Sequence, residues 1–137
     1  MAHDKFIAEV LTPEGEVFND EVEMVSTRTA VGSIGILAHH APLLAMLDPA
    51  ELRIYKSDSE VCTFAQAEGY LQMMNNHAIV LVEEAHPPGD LDAGELRDRL
   101  EQAERELESA EDDSEKKRVA ERDKRRMEQF LRIAESS

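Results

Sequence analysis

The sequence predicts a β domain of the sandwich or barrel type, followed by a C-terminal antiparallel pair of helices. Up to Val82, short apolar runs alternate with turn residues, which is typical of strands. From Leu96 onward, apolar residues recur every three or four positions among dense charge, which is typical of helices. Pro87, Pro88 and Gly89 separate the two patterns. We therefore predict a β domain over 1–86, a linker over 87–90 and a helical hairpin over 91–137.

The composition limits both the core and the partners. With 42% hydrophobic residues, no Trp, four Phe and two Tyr, the core must be mainly aliphatic. The chain carries a formal net charge of −15, and four basic against 14 acidic residues up to Gly89 give that part −10. Because the phosphates of nucleic acids attract positive surfaces, we expect no nucleic-acid partner.

Two observations bear on location. No run of about 18 apolar residues occurs, so we expect no membrane span. The first residues lack a basic region followed by an apolar stretch, so we expect no secretory signal. Cys62 is the single cysteine and therefore has no partner for an internal disulfide.

Short apolar runs predict strands in the first part. They lie at 6–11, 17–18, 22–26, 52–56, 61–65, 69–74 and 77–82, and Asn19-Asp20 is expected to separate the second from the third. Residues 52–56 and 61–65 should form one hairpin. A second hairpin should turn at Asn75-Asn76, since asparagine accepts left-handed backbone conformations.

The stretch from Gly32 to Leu44 departs from this pattern. Gly32 and Gly35 suggest backbone bends or a close approach of another segment, and Pro42 suits a sheet edge or a turn. His39 and His40 are adjacent, and neighbouring side chains of a strand point to opposite faces. We therefore expect a structural or interface role for this pair and no metal site.

The second part reads as two helices. Asp92, with Glu95 three positions later, resembles a capping box that opens the first helix. The apolar stripe of that helix comprises Leu96, Leu100, Ala103, Leu107 and Ala110. The stripe of the second helix comprises Val119, Ala120, Met127, Phe130, Leu131 and Ala134, with an interruption at Asp123 and Lys124.

Basic residues concentrate in the second helix. They are Lys116, Lys117, Arg118, Arg122, Lys124, Arg125, Arg126 and Arg132. One interpretation is a solvated face balanced by interspersed acids. The other is an electrostatic surface for an acidic partner, where complementary charge sets specificity and encounter rate.

Sequence motifs of catalysis are absent from the chain. It contains no phosphate-binding glycine-rich loop, no nucleophile elbow, no H-E-x-x-H and no C-x-x-C. The pattern favours a non-catalytic contact or control subunit.

One segment carries a family resemblance. Gly35-Ile36-Leu37-Ala38-His39-His40-Ala41-Pro42-Leu43-Leu44 resembles the G-I-x-x-x-H-A-P-L-L motif of the epsilon subunit of the rotary, proton-translocating F-type ATP synthase. Ala67-Glu68-Gly69-Tyr70 and the helix opening at Leu91-Asp92 are similar to further family segments. The resemblance implies an antiparallel sandwich of about ten strands plus two helices. It also implies a non-catalytic central-stalk subunit that couples rotation of the c-ring, through the gamma subunit, to the catalytic head.

The resemblance also implies site residues. Ser33, Ile34, Gly35 and His40 fall in the region that contacts the c-ring and gamma, and Ser33 stands where relatives often have an acid. The helices are the regulatory part: folded down they permit turnover, and extended beside gamma they block ATP hydrolysis by meeting the alpha and beta subunits. The candidates for that inhibitory latch are Arg118, Arg122, Arg125 and Arg126.

Some members of this family bind ATP in the folded hairpin through an I/L-D-x-x-R-A motif and arginines of the second helix. Leu91 and Asp92 match its start and Arg125 could supply one arginine. Glu95 replaces the motif arginine, Leu96 replaces the alanine, and the next expected arginine falls near Gln129. Since an anion repels phosphate, we expect weak or no ATP binding and no cofactor.

Two other functions stay open at this point. The chain could be a stand-alone protein-binding adaptor, or a nucleotide sensor with the hairpin as a lid. For the stalk subunit, the expected location is peripheral, at the cytoplasmic face of a bacterial plasma membrane.

Overall fold

A computed structural model describes residues 3–110 and 114–136. The chain forms two compact units, one extending to Pro87 and the other beginning at Pro88. The first unit contains ten strands within its described residues. They are β1 (Phe6–Thr12), β2 (Gly15–Val22), β3 (Met24–Thr29), β4 (Gly32–Leu37), β5 (Leu43–Leu47), β6 (Ala50–Tyr55), β7 (Val61–Gln66), β8 (Gly69–Met74), β9 (His77–Val82) and β10 (Ala85–His86).

The strands pair in the order β10-β7-β6-β3-β5-β8-β9-β1-β2, with β4 on β3. Strand β3 connects the strands β10-β7-β6 to the strands β5-β8-β9-β1-β2. Its residues Met24 to Ser26 pair with β6, while Thr29 pairs with Leu47 of β5. The predicted β-sandwich and its ten strands are confirmed. One ladder departs from the antiparallel expectation, since β1 runs parallel to β9 with Ile7 opposite His77.

The core is aliphatic, as the composition predicted. Its members alternate along the strands, and Val10, Ile36, Leu52, Leu71 and Val80 are at most 1% exposed. Burial of one such side chain stabilises the fold by about 1.5–3 kcal/mol. Phe18 and Phe64 border this core and meet edge to face, with ring centroids 6.4 Å apart.

Both predicted hairpins are confirmed. Residues 50–55 pair with 61–66, and Met74 lies opposite His77 across the turn at Asn75-Asn76. The two asparagines have φ values of 51° and 59°. Asparagine is one of the few residue types that takes this left-handed conformation readily, so the turn lies where its chemistry indicated.

The predicted break at Asn19-Asp20 is wrong. Strand β2 continues through both residues, and the chain leaves it only at Glu23, whose N–H donates to Tyr55 O over 2.7 Å. The turn-like residue types are tolerated because both side chains are exposed to solvent. Asn19 Nδ2 donates to Glu9 Oε1 of the neighbouring strand over 3.2 Å.

The stretch from Gly32 to Leu44 contains two strands and the turn between them. The bend expected at Gly32 is present, with φ at +142°. Gly35 has no bend, because it pairs with Ser26 inside β4. It has no close approach either, since the nearest atom to a Cβ at position 35 would be Met24 Sδ at 4.0 Å. His39 and His40 lie in a turn and not in a strand, so the argument from opposite strand faces was wrong for this pair.

The second unit begins with a short 3₁₀ helix over Pro88–Asp90 and continues as α1 (Ala93–Ser109) and α2 (Ser114–Ser136). Arg97 Nη2 lies 3.4 Å from Glu135 Oε2, so the start of α1 faces the end of α2 and the helices are antiparallel. The predicted stripe of α1 is confirmed, since its five residues are buried or half-buried. Every other residue from Glu95 to Ser109 is exposed.

Helix α2 differs from its prediction at four positions. Ile133, which the predicted stripe omitted, is buried, and so is Arg126 with 8% of its surface exposed. Asp123 and Lys124, taken as an interruption of the stripe, are half-buried. The apolar pattern of the sequence therefore did not identify the whole buried face of α2, because part of that face consists of charged residues.

Candidate functional site

The residues predicted to contact the ring and gamma lie along β4 and the turn after it. Ser33 and Gly35 are exposed, whereas Ile34 packs against the core. Ser33 lies at the β3–β4 hairpin and His40 beyond the other end of the strand. Because a strand rises about 3.3 Å per residue, β4 separates these two ends by roughly 15 Å. The structure thus divides the predicted set between two ends of the sandwich.

The tip of the β3–β4 hairpin presents a residue that the sequence prediction missed. Val31 is 98% exposed. Thr29 fixes the tip, since its Oγ1 donates to Gly32 O over 2.8 Å and accepts from Val31 N over 3.2 Å. The sequence did contain a sign of this exposed residue. Val31 is apolar and directly precedes Gly32 in the turn between two strands, a position where polar residues are usual.

At the opposite end, the motif histidine lies on an exposed turn. His40 Nδ1 is 2.7 Å from Ala41 O, and His39 N donates to Asn76 Oδ1 over 2.7 Å. His39 has a φ of 66°, uncommon for a residue other than glycine. The turn is thus held by a partner more than thirty residues away in the sequence.

An exposed apolar face crosses β5, β8 and β9. Met46 lies opposite Tyr70, and Tyr70 lies opposite Leu81 in the next ladder. With Leu44, these residues are 48–69% exposed. We call this set, Leu44, Met46, Tyr70 and Leu81, the apolar face. A contiguous exposed apolar patch marks an interaction surface, whereas scattered apolar residues do not.

The sequence carried a signal for the apolar face that the strand prediction did not use. Residues 43–47 are five consecutive apolar residues, and such a strand is typically covered on both sides. One side of β5 contributes Leu47 to the core. The other side carries Leu44 and Met46 into solvent, where a partner can cover them.

The predicted latch arginines differ in exposure. Arg118, Arg122 and Arg125 are exposed on α2, while Arg126 is buried. Arg118 Nη2 donates to Glu115 Oε1 over 2.8 Å and Arg122 Nη2 to Asp123 Oδ1 over 3.2 Å. The hydrogen bond to Glu115 raises the pKa of Arg118 above its usual range. Two of the exposed guanidinium groups thus have acidic neighbours on their own helix.

The residues predicted for a nucleotide do not come together. Asp92 is the N-cap of α1, where its Oδ1 accepts from Glu95 N over 3.1 Å. Arg125 lies ten residues before Glu135, the residue that faces Arg97 near the start of α1. At a rise of 1.5 Å per residue, Arg125 is about 15 Å from that end of the hairpin. Arg125 therefore does not lie beside Leu91 and Asp92.

Within residues 3–110 and 114–136, no group of three or more His, Cys, Asp or Glu side chains is arranged to hold a metal ion. In the same part of the chain, no helix is sufficiently long and apolar to cross a membrane.

Comparison with known proteins identifies the family. Residues 5–88 match the β-sandwich domain of the ATP synthase delta/epsilon chain. The ATP synthase epsilon chain of Sulfurihydrogenibium sp. is 35% identical over 126 residues, which cover 92% of this chain and 94% of the relative. That of Rubrobacter xylanophilus is 33% identical over 130 residues, which cover 91% of this chain and 88% of the relative.

Two solved structures share the fold. One is a chain of the Euglena gracilis mitochondrial ATP synthase, solved as OSCP/F1/c-ring, with a TM-score of 0.80 and 18% identity, covering 100% of this chain and 85% of that one. The other is a chain of the Tetrahymena thermophila mitochondrial ATP synthase central stalk and c-ring, with a TM-score of 0.64 and 18% identity, covering 98% and 99%. The resemblance drawn from the motif around His40 is confirmed, and the chain belongs to the family of ATP synthase epsilon chains.

Proposed function

We propose that this chain works in the central stalk of an F-type ATP synthase, where its sandwich transmits rotation and its hairpin restrains hydrolysis. Membership of the epsilon chains makes it a stalk subunit and not the catalytic one. In this proposal, the functional division is a sandwich over 1–86, a hinge over 87–90 and a regulatory arm over 91–137.

The observation that best supports the proposal is the apolar face. Its four members are large and contiguous across three strands, and they project from a rigid sheet. A subunit that transmits torque needs a wide contact on such a sheet, since a loop contact would yield under load. We assign this face to the gamma subunit.

The hairpin tip suits the c-ring. Val31 and Ser33 lie at one end of the sandwich, and the hydrogen bonds of Thr29 fix the tip. Ser33 is neutral, so the contact would be apolar and uncharged where relatives often place an acid. His40 and its turn, at the other end of β4, form a second contact with the stalk, alongside Ile34 and Gly35 of the same strand.

The arm supplies the restraint. Arg118, Arg122 and Arg125 form an exposed basic row on α2, which suits an acidic segment of the beta subunits. Arg126 is buried in this conformation, so it would take part only after α2 changes its surroundings. In the latch, Arg118 would leave Glu115 and Arg122 would leave Asp123, and both would pair with acidic residues of the catalytic head instead.

The gamma contact is tested by binding of the full chain to gamma. Met46→Lys places a charge in the middle of the apolar face and should weaken binding by at least about tenfold, because desolvating an unpaired charge is costly. Val61→Lys is the matched control, since Val61 is 42% exposed on β7, three strands from β5 in the strand order. Equal binding of both variants and the wild type would defeat the assignment of this face.

The restraint is tested by ATP hydrolysis of a reconstituted catalytic head with gamma. The full chain should suppress hydrolysis, and a chain ending at Gly89 should bind without suppressing it. Reversing the charge of Arg118, Arg122 and Arg125 should relieve suppression in the full chain. Unchanged suppression after both changes would show that the hairpin is no brake.

A stand-alone adaptor is the second candidate, because the same apolar face would serve any apolar partner. Purification of the native complex separates the two functions, since a stalk subunit co-purifies with gamma and the c-ring.

Because the Sulfurihydrogenibium and Rubrobacter relatives are bacterial, we place the chain at the cytoplasmic face of a bacterial plasma membrane. Protease accessibility of the chain in inverted vesicles tests that location.

A further inference from the structure

Three segments that are far apart in sequence meet at one side chain. Asn76 Oδ1 accepts from His39 N over 2.7 Å, and Asn76 Nδ2 donates to Lys5 O over 3.2 Å. The backbone carbonyl of Asn76 also accepts from Ile7 N over 3.3 Å. The β8–β9 turn thereby holds both the turn after β4 and the segment that leads into β1.

A second tie joins the same segments. His39 Nε2 lies 3.3 Å from Asp4 Oδ2. His39 is therefore held through its backbone by Asn76 and through its ring by the N-terminal segment. Because its φ of 66° is uncommon for a residue with a side chain, this conformation depends on such partners.

The neighbouring asparagine provides an internal contrast. Asn75 has nearly the same backbone conformation, with a φ of 51° against 59° for Asn76. Its side chain is exposed and makes no hydrogen bond to residues 3–110 or 114–136, whereas that of Asn76 is half-buried and makes two. The turn needs left-handed residues at both positions, but only the second amide reaches another segment.

We propose that Asn76 is the positioning residue for the turn that presents His40 to the stalk. The amide fixes the backbone of His39, and His40 follows directly, with its own ring bonded only to the adjacent Ala41 O within the described chain. The orientation of His40 is thus set by the backbone that Asn76 holds. This inference rests on the proposed stalk contact, and it adds that the contact depends on a residue of the β8–β9 turn.

The test compares two glycine substitutions in the full chain. Asn76→Gly and Asn75→Gly both keep a residue that tolerates positive φ, so they differ chiefly in the lost amide. In the isolated chain, Asn76→Gly should speed hydrogen exchange of the His39 amide about five- to tenfold, the effect of one lost hydrogen bond. Binding to a gamma–c-ring complex should weaken by a similar factor. Asn75→Gly should change neither.

A conservative variant separates positioning from general stability. Asn76→Asp keeps an oxygen for His39 N but loses the donor to Lys5 O, so it should retain slow exchange of His39 and wild-type binding at lower thermal stability. If Asn76→Gly fails to fold, this variant carries the test, and weak binding with His39 still protected would overturn the proposal. So would equal exchange or equal binding of the two glycine variants.

The two proposals fail in different ways. If the wild-type chain does not bind gamma and the c-ring, the stalk function is refuted. Exchange of His39 in the isolated chain then still decides whether Asn76 holds the turn.

Discussion

Gly69 lies so close to the backbone carbonyl of Leu81 that a side chain at position 69 would have no space. A Cβ there would overlap the carbonyl oxygen and lie 2.7 Å from the Cα of Val82. Gly69 is paired with Val82 at the beginning of β8, between the connection from β7 and the apolar face. Glycine at position 69 therefore allows the backbones of β8 and β9 to approach closely at this end of their ladder.

Gly69→Ala should destabilise the sandwich by about 3 kcal/mol or more, the upper end of the cost of overpacking, because backbone atoms must move apart. Gly35→Ala is the control, since the nearest atom to its Cβ would be Met24 Sδ at 4.0 Å. That variant should change the free energy of unfolding by less than about 1 kcal/mol. Chemical denaturation measures both, and equal stability of the two variants would contradict the packing argument.

Thr27 and Gln66 form a buried hydrogen bond between β3 and β7. Thr27 Oγ1 donates to Gln66 Oε1 over 2.8 Å, and Gln66 Nε2 donates to Asp48 O over 3.0 Å. Thr27→Val leaves the Gln66 oxygen buried without this donor, which should cost about 1–3 kcal/mol. A double-mutant cycle with Gln66→Leu should show a coupling energy, and additive effects in denaturation would show that the bond contributes no coupling.

Asp20 and Lys56 link stability to pH at the surface of the sandwich. The hydrogen bond from Lys56 Nζ, at 3.0 Å, lowers the pKa of Asp20 below its ordinary value of 3.8, with help from the N–H of Glu21. The same bond raises the pKa of Lys56 above 10.5. The stabilisation should thus be complete from about pH 5 to pH 9, more than one pH unit inside both ordinary pKa values. It is lost as acid protonates Asp20 below 3.8, or as alkali deprotonates Lys56 above 10.5.

Lys56→Met should raise the pKa of Asp20 toward 3.8, as followed by NMR titration of its carboxyl carbon. Glu60→Gln is the control. It removes the other acid near Lys56, at 3.5 Å, and should leave the pKa of Asp20 lowered. An Asp20 titration unaffected by Lys56→Met would show that the ion pair does not form in solution.

Millimolar Mg-ATP should leave the melting temperature of the chain unchanged. A ligand at 100 times its dissociation constant stabilises a protein by about 2.7 kcal/mol, so binding would be visible as a rise of several degrees. Glu95→Arg restores the motif cation but should also give no shift, because Arg125 lies about 15 Å from that end of the hairpin. A rise in either protein would mean that nucleotide binds in another hairpin geometry.

Local chemistry made much of this structure predictable. The Asn75-Asn76 turn, the cap at Asp92 and the stripe of α1 each depend on residues within a few positions of one another. The parallel β1–β9 ladder and the meeting of Lys5, His39 and Asn76 depend on contacts over more than thirty residues, which periodicity does not encode. Arg126 was assigned to the latch because it is a charged residue. Its position beside Met127, on the buried face of α2, was the better guide to its burial.

The site was predictable only where the family motif named it. Gly35 and His40 came from the motif around His40, and Ser33 and Ile34 from the family's contact region directly before it. The division of these residues between two ends of β4 depends on the strand between them. Val31 and three members of the apolar face, Met46, Tyr70 and Leu81, lie outside that motif, and Leu44 is its last residue. Their exposure emerges only when three strands place apolar residues side by side.

The β1–β9 ladder sets the order in which the sandwich can assemble. Strand β1 is made before the other nine strands described, yet its parallel partner ends at Val82. Closing a loop of this length is slow relative to forming a hairpin, and it cannot begin before β9 has left the exit tunnel. Until then β1 and β2 form at most an isolated two-stranded hairpin, a unit that is marginal in water. Nascent chains released before Val82 should therefore be substrates for chaperones and proteases, whereas those released after Gly89 contain a complete sheet.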